Sequence, residues 1–344
     1  MTLKIGVIGV GSIAINRHIP AILKLKEDAE LVALSDTNEA LLIETAESLG
    51  VKTFSVDYHD ILQEVDAVVI CTPNKFHAEM TIEALRAGCH VLCEKPMGLT
   101  TAECELMLAH AKKHQKLLYL GYHYRHTDVS RLAKKMMVSG DVGNVLVTRA
   151  KAMRQRKVPG WGVFTNKALQ GGGSLIDYGC HVLDLALWLQ EGNEPVEVLG
   201  RTYNALSRQP NQVNEWGQIN HETFDVDDHV TAYITFENGS SLMLECSWAA
   251  NIKEDELHLS LSGDKQGMNL FPFECYYPEF GVMHMSEAKV VHDEIVAGDR
   301  QMKNFILSCL GKEEPAIKAE EALKVNELIE AIYKSSRLGK SVKL

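Results

Sequence analysis

The chain opens its first regular pattern with residues 3–14, LKIGVIGVGSIA, in which an apolar run leads directly into a glycine-rich turn. The run Leu3–Ile8 predicts a buried β-strand, and a helical spacing of apolar residues follows the turn. Gly9 permits a tight bend, Gly11 lets the backbone approach a pyrophosphate, and Ala14 permits close packing of helix on strand. This strand–turn–helix context is the one that a dinucleotide-binding turn requires, although the glycines alone fit an ordinary turn equally well.

Short apolar runs then alternate with helical stretches up to about residue 120, which is the pattern of βαβ units. The predicted strands are Leu3–Ile8, Glu30–Ser35, Ala67–Cys71, His90–Cys93 and Leu117–Leu120, and the predicted helices are 13–27, 38–49, 75–87 and 101–114. Crossovers of this length place helices on both faces of a sheet. We therefore expect an N-terminal α/β domain with a parallel sheet.

After about residue 122 the pattern changes to longer strands with partial alternation. The predicted strands are Val145–Met153, Val196–Asn204, Val230–Phe236, Ser241–Trp248 and Leu257–Leu261, and the predicted helices are 179–190, 294–309 and 319–336. Asn238-Gly239 indicates a two-residue hairpin. Residues 207–224 are a polar connection, either a long loop or an arm that reaches a neighbouring subunit. This half predicts an α+β domain with an open, mostly antiparallel sheet.

Charge and composition exclude several classes of partner. The formal net charge of −11 opposes binding to the phosphate backbone of nucleic acid. No apolar run reaches the roughly 18 residues that cross a bilayer, and the N-terminus lacks the apolar core of a signal peptide. The eight cysteines are scattered without a Cys-x-x-Cys pair, which favours reduced thiols. We expect a cytoplasmic protein that binds a small molecule, with neither nucleic acid nor membrane as partner.

A carboxylate marks the end of the second predicted strand. Asp36 follows the glycines by about 20 residues, where it can accept a hydrogen bond from a ribose 2′-hydroxyl. The same charge repels a 2′-phosphate, and Thr37 and Asn38 follow without an adjacent Arg or Lys. NAD is therefore favoured over NADP as the cofactor. Alternatively, Asp36 caps the following helix.

The other strand ends extend the predicted cofactor site, because ligands of open parallel sheets bind outside the carboxyl ends of the strands. Pro73 stops one strand and exposes backbone groups near the path of the cofactor. The predicted cofactor-binding residues are Gly9, Gly11, Ser12, Ile13, Asp36, Thr37, Cys71, Thr72, Pro73, Asn74, His77, Glu94 and Lys95.

Three residues are candidates for the chemistry. Lys95 ends a strand, where partial desolvation favours the neutral amine and makes proton transfer near neutral pH feasible. Asp177 and His181 lie four residues apart at a helix start, so both fit on one face and can hold a hydroxyl from two sides. An imidazole titrates near physiological pH, which suits a general base. Taken singly, Lys95 fits a solvated ion pair, Asp177 a helix cap and His181 a core residue.

Four motifs occur in order along the chain. They are Gly9-x-Gly11-x-x-Ala14, Thr72-Pro73-Asn74 with His77, Ala87-Gly88 through Glu94-Lys95-Pro96, and Gly171-Gly172-Gly173 into Asp177-x-Gly179-x-His181-x-x-Asp184. Together they resemble the glucose-fructose oxidoreductase / inositol 2-dehydrogenase / rhizopine catabolism (Gfo/Idh/MocA) family of oxidoreductases. The resemblance covers nearly the whole chain, and the ordered set is far more specific than any one motif.

The resemblance implies an NAD-binding Rossmann domain over residues 1–122 and a substrate-binding and oligomerisation domain over residues 123–344, whose last helix can pack back on the first domain. It also implies an active site in the cleft between the domains and a homodimer or homotetramer packed through the second domain's sheet. Sugars, inositols and related polyols are the implied substrates. Lys95 and His181 match the family's catalytic Lys and His, and Asp177 matches its supporting carboxylate.

Substrate contacts are implied at two further places. Residues 154–165 resemble a loop of sugar-oxidising members in which Arg154 and Trp161 approach substrate and nicotinamide, although Trp161 alternatively only packs the domain junction. After the last Rossmann strand the family often has aromatic-Asn-x-Arg, and this chain departs from it with His123. The predicted substrate residues are Lys95, His123, Arg154, Trp161, Asp177 and His181.

An acidic segment with one histidine, Asp225–His229, lacks the supporting His or Cys spacing of a metal site. We expect a turn that leads into the next strand there, and no metal.

These residues predict reversible, NAD-dependent oxidation of a secondary alcohol of a sugar, glycoside or cyclitol to the ketone. His181 takes the hydroxyl proton, Lys95 stabilises the developing oxyanion or relays the proton, and Asp177 orients the hydroxyl. Two alternatives remain open. One is a glycosidase that oxidises its sugar transiently and regains the hydride, and the other is an NAD-binding sensor or regulatory subunit without chemistry.

Overall fold

A computed structural model of the chain describes residues 2–288 and 296–344. The described residues fall into two compact units. The first unit contains residues 2–126 and 296–326, and the second contains residues 127–288 and 327–344. The predicted division into 1–122 and 123–344 remains a prediction.

The first unit is built on a parallel sheet of six described strands in the order β3-β2-β1-β4-β5-β6. The strands are β1 Leu3–Ile8, β2 Ala29–Ser35, β3 Thr53–Ser55, β4 Ala67–Ile70, β5 His90–Cys93 and β6 Leu118–Leu120. The central strands are apolar on both faces because helices cover both, and Ile5, Val69 and Leu92 are fully buried. The predicted parallel sheet is confirmed, and the short strand β3 was not predicted.

Helices connect these strands. They are α1 Ile19–Leu23, α2 Glu39–Leu49, α3 His77–Arg86 and α4 Thr101–His114, and the wide π-helical turn Ala14–His18 leads into α1. Thr100 begins α4 with a reciprocal capping box to Glu103. The predicted helix 13–27 is therefore shorter than expected, because Lys24 ends α1.

The second unit contains a larger mixed sheet in which nine described strands follow the order β14-β13-β12-β11-β7-β10-β9-β8-β15. The strands are β7 Val145–Met153, β8 Pro195–Tyr203, β9 His229–Phe236, β10 Ser241–Ser247, β11 Glu256–Gly263, β12 Gly267–Asn269, β13 Glu274–Glu279, β14 Val282–Glu287 and β15 Val342–Lys343. Among the described strand pairs of this second sheet, only β7 and β10 pair in parallel. The predicted open, mostly antiparallel sheet is confirmed.

The remaining helices are α5 Asp128–Ser139, α6 Lys167–Gln170, α7 Cys180–Leu189, α8 Ala297–Cys309 and α9 Ala319–Leu338. The helix α5 was not predicted, and the predicted start of α8 at residue 294 lies outside the described residues. Residues 207–224 form a loop that contacts its own unit, with Ser207 N donating to the carboxylate of Asp228 at 2.7 Å.

The hairpin between β9 and β10 differs from its prediction in one detail. Phe236 donates its N–H to the carbonyl of Ser240 at 3.0 Å, which leaves residues 237–239 as a three-residue loop. Gly239 has φ +83°, the left-handed conformation that such a loop places at its last residue. The Asn-Gly pair thus indicates the hairpin correctly but not its length.

The carboxylate of Asp227 fixes the segment that begins the helix before α7. It accepts hydrogen bonds from Gly173 N at 2.8 Å, and from Ser174 Oγ and Leu175 N at 2.9 Å. The hydroxyl of Tyr333 donates a fourth bond at 2.7 Å. A side chain at Gly173 would lie 1.9 Å from the Asp227 carbonyl oxygen, so glycine is required there for close approach of the two segments. The segment Asp225–Asp228 leads into β9 as expected, and its Asp227 is in addition a buried anchor.

Removing this carboxylate should destabilise the second unit, because four donors lose their acceptor in a buried position. We expect Asp227→Ala to lower the free energy of unfolding by about 2–4 kcal/mol. Urea denaturation followed by circular dichroism measures the change. The matched control is Asp225→Ala, because Asp225 is exposed and accepts one backbone bond from Lys167. Equal midpoints for the two variants would contradict the anchoring role.

Candidate active site

The glycine turn after β1 keeps its backbone open at one position. Gly9 has φ +89°, and a Cβ there would lie 2.9 Å from the backbone of Cys71, so only glycine fits between β1 and β4. Around Gly11, in contrast, no atom lies within 4 Å of an added Cβ. The backbone at Gly11 is therefore accessible to a ligand, as binding of a pyrophosphate requires.

Asp36 is tied to the same turn. Its carboxylate accepts hydrogen bonds from Val10 N and from Asn38 N, both at 2.8 Å. The cap of α2 is Asn38, whose side chain accepts from Leu41 N, so the alternative role of Asp36 as that cap is wrong. Each carboxylate oxygen can accept a further bond. Asp36 therefore remains suited to hold the ribose of a dinucleotide.

The end of β4 and the segment after β5 are joined through the imidazole of His77. Its Nδ1 lies 2.7 Å from the carbonyl oxygen of Pro96, and its Nε2 lies 2.9 Å from that of Thr72. Burial lowers the pKa of His77, although the two carbonyl contacts raise it. Both ring nitrogens face protein carbonyls, which favours a role in holding the two segments over direct contact with a cofactor. Cys71, beside Thr72, stays a neutral thiol because burial raises its pKa.

A buried ion pair lies beneath Lys95. The carboxylate of Glu94 is 2.7 Å from the imidazole of His18 and 4.0 Å from the guanidinium of Arg17, and its second oxygen accepts from Lys95 N at 3.2 Å. Burial by itself would raise the pKa of Glu94, but the hydrogen bond and charge of His18, with the charges of Arg17 and Lys95, lower the pKa to about 2. Glu94 is thus a buried anion that fixes the backbone at Lys95. The Lys95–Pro96 peptide bond is cis.

His123 belongs to this polar group. Its Nδ1 lies 3.2 Å from the guanidinium of Arg17. Burial, followed by the positive charge of Arg17, lowers the pKa of His123 to about 3, so the ring is neutral and can accept from Arg17. The departure from the family pattern therefore still supplies a hydrogen-bond acceptor. Arg17 and His18 were not predicted, because they follow the glycine turn in sequence and meet Glu94 only through the fold.

In the second unit, Asp177 lies in a wide helical turn, Leu175–Gly179, that continues into α7. Its carboxylate accepts from the indole Nε1 of Trp248 at 3.0 Å. The guanidinium of Arg154 is 4.0 Å from the same oxygen, which is an ion pair beyond hydrogen-bond distance. His181 is buried in the first turn of α7. Trp248, which lies 71 residues from Asp177 along the chain, was not predicted.

Arg154 also contacts two aromatic rings. Its guanidinium carbon lies 3.9 Å from the ring centre of Tyr178 and 4.4 Å from that of Trp216. Guanidinium groups stack favourably on aromatic faces, and such contacts restrict the orientation of the group. Trp161 is 51% exposed and packs near Trp216 with ring centres 5.7 Å apart. Two of the six predicted substrate residues, Arg154 and Trp161, therefore belong to one aromatic cluster of the second unit.

Two domain models of one known family match the two parts of the chain. Residues 3–122 match the model described as an oxidoreductase family with an NAD-binding Rossmann fold, and residues 130–268 match the GFO/IDH/MocA C-terminal domain. The chain belongs to this family. The predicted resemblance, the NAD cofactor and the oxidoreductase class are confirmed.

Individual proteins are similar over the whole length. The chain is 35% identical to D-glucoside 3-dehydrogenase of Escherichia coli strain K12, over 99% of this chain and 97% of that protein. The crystal structure of aldose-aldose oxidoreductase from Caulobacter crescentus complexed with glycerol superimposes with a TM-score of 0.84 at 27% identity, covering 100% of both chains. Levoglucosan dehydrogenase in complex with NADH and levoglucosan gives a TM-score of 0.86 over 100% of this chain and 99% of that chain, and at 21% identity it shows the fold alone.

The described part of the chain contains neither a cluster of metal ligands nor a helix suited to cross a membrane. No group of His, Cys, Asp and Glu side chains among residues 2–288 and 296–344 is gathered to hold a metal ion. None of the helices described there has the length and apolar character that crossing a membrane requires.

Replacing Asp36 tests how the family member selects its cofactor. Asp36→Ala removes a charged acceptor for the ribose, so we expect the dissociation constant for NADH to rise about tenfold or more. The constant for NADPH should stay level or fall, because the charge that opposes a 2′-phosphate is gone. Fluorescence titration of each nucleotide measures both constants.

The control is Glu39→Gln, which removes a neighbouring exposed acid on α2. We expect this variant to bind both nucleotides as the unmodified protein does. Equal affinity of the unmodified protein for NADH and NADPH would refute the selective role of Asp36.

Proposed function

We propose that this protein oxidises a secondary hydroxyl of a glucoside to the ketone, with the C3 hydroxyl as the first candidate and NAD as the hydride acceptor. The observation that carries the proposal is the similarity to D-glucoside 3-dehydrogenase, which extends over 99% of the chain and so includes both units. The residues predicted for the chemistry are present in both units, Lys95 in the first and Asp177 with His181 in the second.

We infer three roles at the reacting hydroxyl. NAD, when bound, accepts the hydride from the carbon that carries this hydroxyl. His181 takes the hydroxyl proton as general base, and Lys95 stabilises the oxyanion that develops. Asp177 orients the hydroxyl, and its own position is supported by the bond from Trp248 and the ion pair with Arg154.

The cofactor contacts divide into two kinds. The open backbone at Gly11 and the carboxylate of Asp36 support direct binding of pyrophosphate and ribose. The buried positions of His77 and Glu94 support an indirect role, in which they hold the segments that carry Thr72 and Lys95. We propose an indirect role for His123 as well. It would affect substrate binding by accepting a hydrogen bond from Arg17 and so holding that side chain in place.

Variants at the two catalytic positions test the mechanism. We expect Lys95→Met and His181→Ala each to lower kcat by about 10²–10⁴-fold, because each removes a group that exchanges or stabilises charge at the hydroxyl. The dissociation constant for NADH should stay close to the unmodified value, which also shows that the variants fold. Lys75→Met is the control, because Lys75 is an exposed lysine of the first unit. Near-normal turnover of either variant would refute its assignment.

The assay also separates the alternative functions. The unmodified protein is incubated with NAD and methyl β-D-glucopyranoside, and NADH and the keto-glucoside are quantified. A dehydrogenase yields both in equal amounts. Release of methanol without net NADH identifies a glycosidase, and absence of any reaction with glucosides, inositols and free sugars leaves a sensor or regulatory subunit.

We also propose that the chain assembles as a homodimer or homotetramer through the exposed face of the nine-stranded sheet. Leu199, Tyr233 and Met243 are neighbours across β8, β9 and β10, and each is about half exposed. A contiguous apolar row on a sheet face is typical of a protein interface.

We also propose the cytoplasm as the location of the protein. The eight cysteines are all free thiols, as is usual for proteins of a reducing compartment.

A charge in the middle of this row tests the interface. We expect the unmodified protein to sediment as a dimer or tetramer, and Tyr233→Glu to sediment as a monomer at the same concentration because it buries an unpaired charge. Val138→Glu, at an exposed apolar position of α5, is the control and should not change the sedimentation coefficient. A monomeric unmodified protein would refute the proposal.

A further inference from the structure

The second unit carries an exposed aromatic surface beside Asp177. Trp161 has half of its surface in solvent, although it is among the largest apolar side chains. Its ring centre lies 5.7 Å from that of Trp216 and 6.2 Å from that of Phe164. Exposure of a large ring costs hydrophobic free energy in proportion to the area that could be buried. A ring that is held by neighbours and still exposed is suited to bury that area against a ligand.

Hydrogen bonds between two backbone segments hold this surface in place. Gly160 N donates to the carbonyl of Trp216 at 2.7 Å. The Asn214 side chain accepts from Val158 N at 2.9 Å and donates to the Val158 carbonyl at 2.8 Å. The loop that carries Trp216 is thus hydrogen-bonded to the segment before Trp161. Such preorganisation lowers the entropic cost of binding a ligand, because the loop is already ordered.

The aromatic surface is continuous with the candidate site. The guanidinium of Arg154 lies 4.4 Å from the ring centre of Trp216 and 4.0 Å from the carboxylate of Asp177. One guanidinium group therefore separates Trp216 from the residue that we propose to orient the reacting hydroxyl. A substituent on a sugar held at Asp177 is within reach of Trp216 and then of Trp161.

Polar side chains accompany these rings, so the surface suits a sugar, which has both hydroxyl groups and an apolar face, better than a purely apolar molecule. Lys157 forms ion pairs with Asp255 and, at 3.8 Å, with Glu215. These groups carry donors and acceptors that match sugar hydroxyls, whereas the ring faces match the C–H face of a pyranose or an aromatic ring.

We propose that Trp161 and Trp216 form a subsite for the group attached to the oxidised sugar, either a second pyranose ring or an aromatic aglycone. The substrates are then glycosides, and free monosaccharides are poorer because they leave the subsite empty. This inference rests on the proposed oxidation of a glucoside held at Asp177. It adds that the group attached to the sugar determines which substrates the enzyme prefers.

Kinetics of Trp161→Ala with phenyl β-D-glucopyranoside and with D-glucose test the subsite. We expect KM for the phenyl glucoside to rise about tenfold, the effect of losing one aromatic contact with its buried area, while kcat changes little. KM for D-glucose should change less than about twofold. Trp161→Phe should recover most of the affinity for the phenyl glucoside, because it restores an aromatic face.

The matched control is Phe280→Ala, which removes another exposed aromatic ring of the same unit. We expect this variant to keep the KM of the unmodified protein for both sugars. An equal rise of KM for both sugars in Trp161→Ala, or no rise for either, would overturn the subsite.

A binding measurement separates failure of the subsite from failure of the proposed reaction. Calorimetric titration of the NADH complex of the unmodified protein and of Trp161→Ala compares phenyl β-D-glucopyranoside with D-glucose, without any turnover. Tighter binding of the phenyl glucoside that Trp161→Ala abolishes supports the subsite even if the oxidised position is assigned wrongly. Equal binding of the two sugars by the unmodified protein overturns the subsite, whatever the enzyme oxidises.

Discussion

A carboxylate removed from water must be surrounded by hydrogen-bond donors or positive charges, and this constraint decides where the candidate catalytic segments lie. Glu94 meets it with His18, Arg17 and the N–H of Lys95. Asp227 meets it with two backbone amides and two hydroxyls around the helix start before Asp177. Each carboxylate therefore fixes a backbone segment rather than contacting a substrate. The neighbours that these anchors hold in place, Lys95 and Asp177, are residues that we propose for the chemistry.

Burial also determines the charge states of the ionisable side chains around Lys95. Burial lowers the pKa of both His77 and His123, and the ring of His123, with a pKa of about 3, is neutral at physiological pH. The pKa of Glu94 is lowered by the hydrogen bond and charge of His18, followed by the charges of Arg17 and Lys95. A histidine in a candidate site is thus no guide to a titrating group unless its burial is known.

The sequence predicted the parts of the fold that depend on local pattern. The strand β1, the turn at Gly9 and the parallel sheet follow from the apolar runs and from the glycines after the first of them. Short strands such as β3 and β12 were missed, because three residues are too few to show alternation.

Contacts between residues far apart in sequence could not be predicted in the same way. Trp248 donates to Asp177, and Trp216 stacks on Arg154, only because the sheet and the long loop of the second unit bring them there. No spacing rule links such positions in a single sequence. Similarly, Asn238-Gly239 indicated a hairpin, but the added residue of the loop depends on the register of β9 with β10.

The two units are interleaved along the chain, since the first needs residues 296–326 and the second needs residues 327–344. The last of these residues supply Tyr333, which bonds to Asp227, and β15, which pairs with β8. During synthesis on a ribosome, neither unit has all of its parts until more than 300 residues have been made. All six strands of the first sheet precede residue 121, whereas the sheet of the second unit lacks β15 until residue 343 has been made, and in that interval its unpaired edge at β8 favours aggregation and chaperones are most useful.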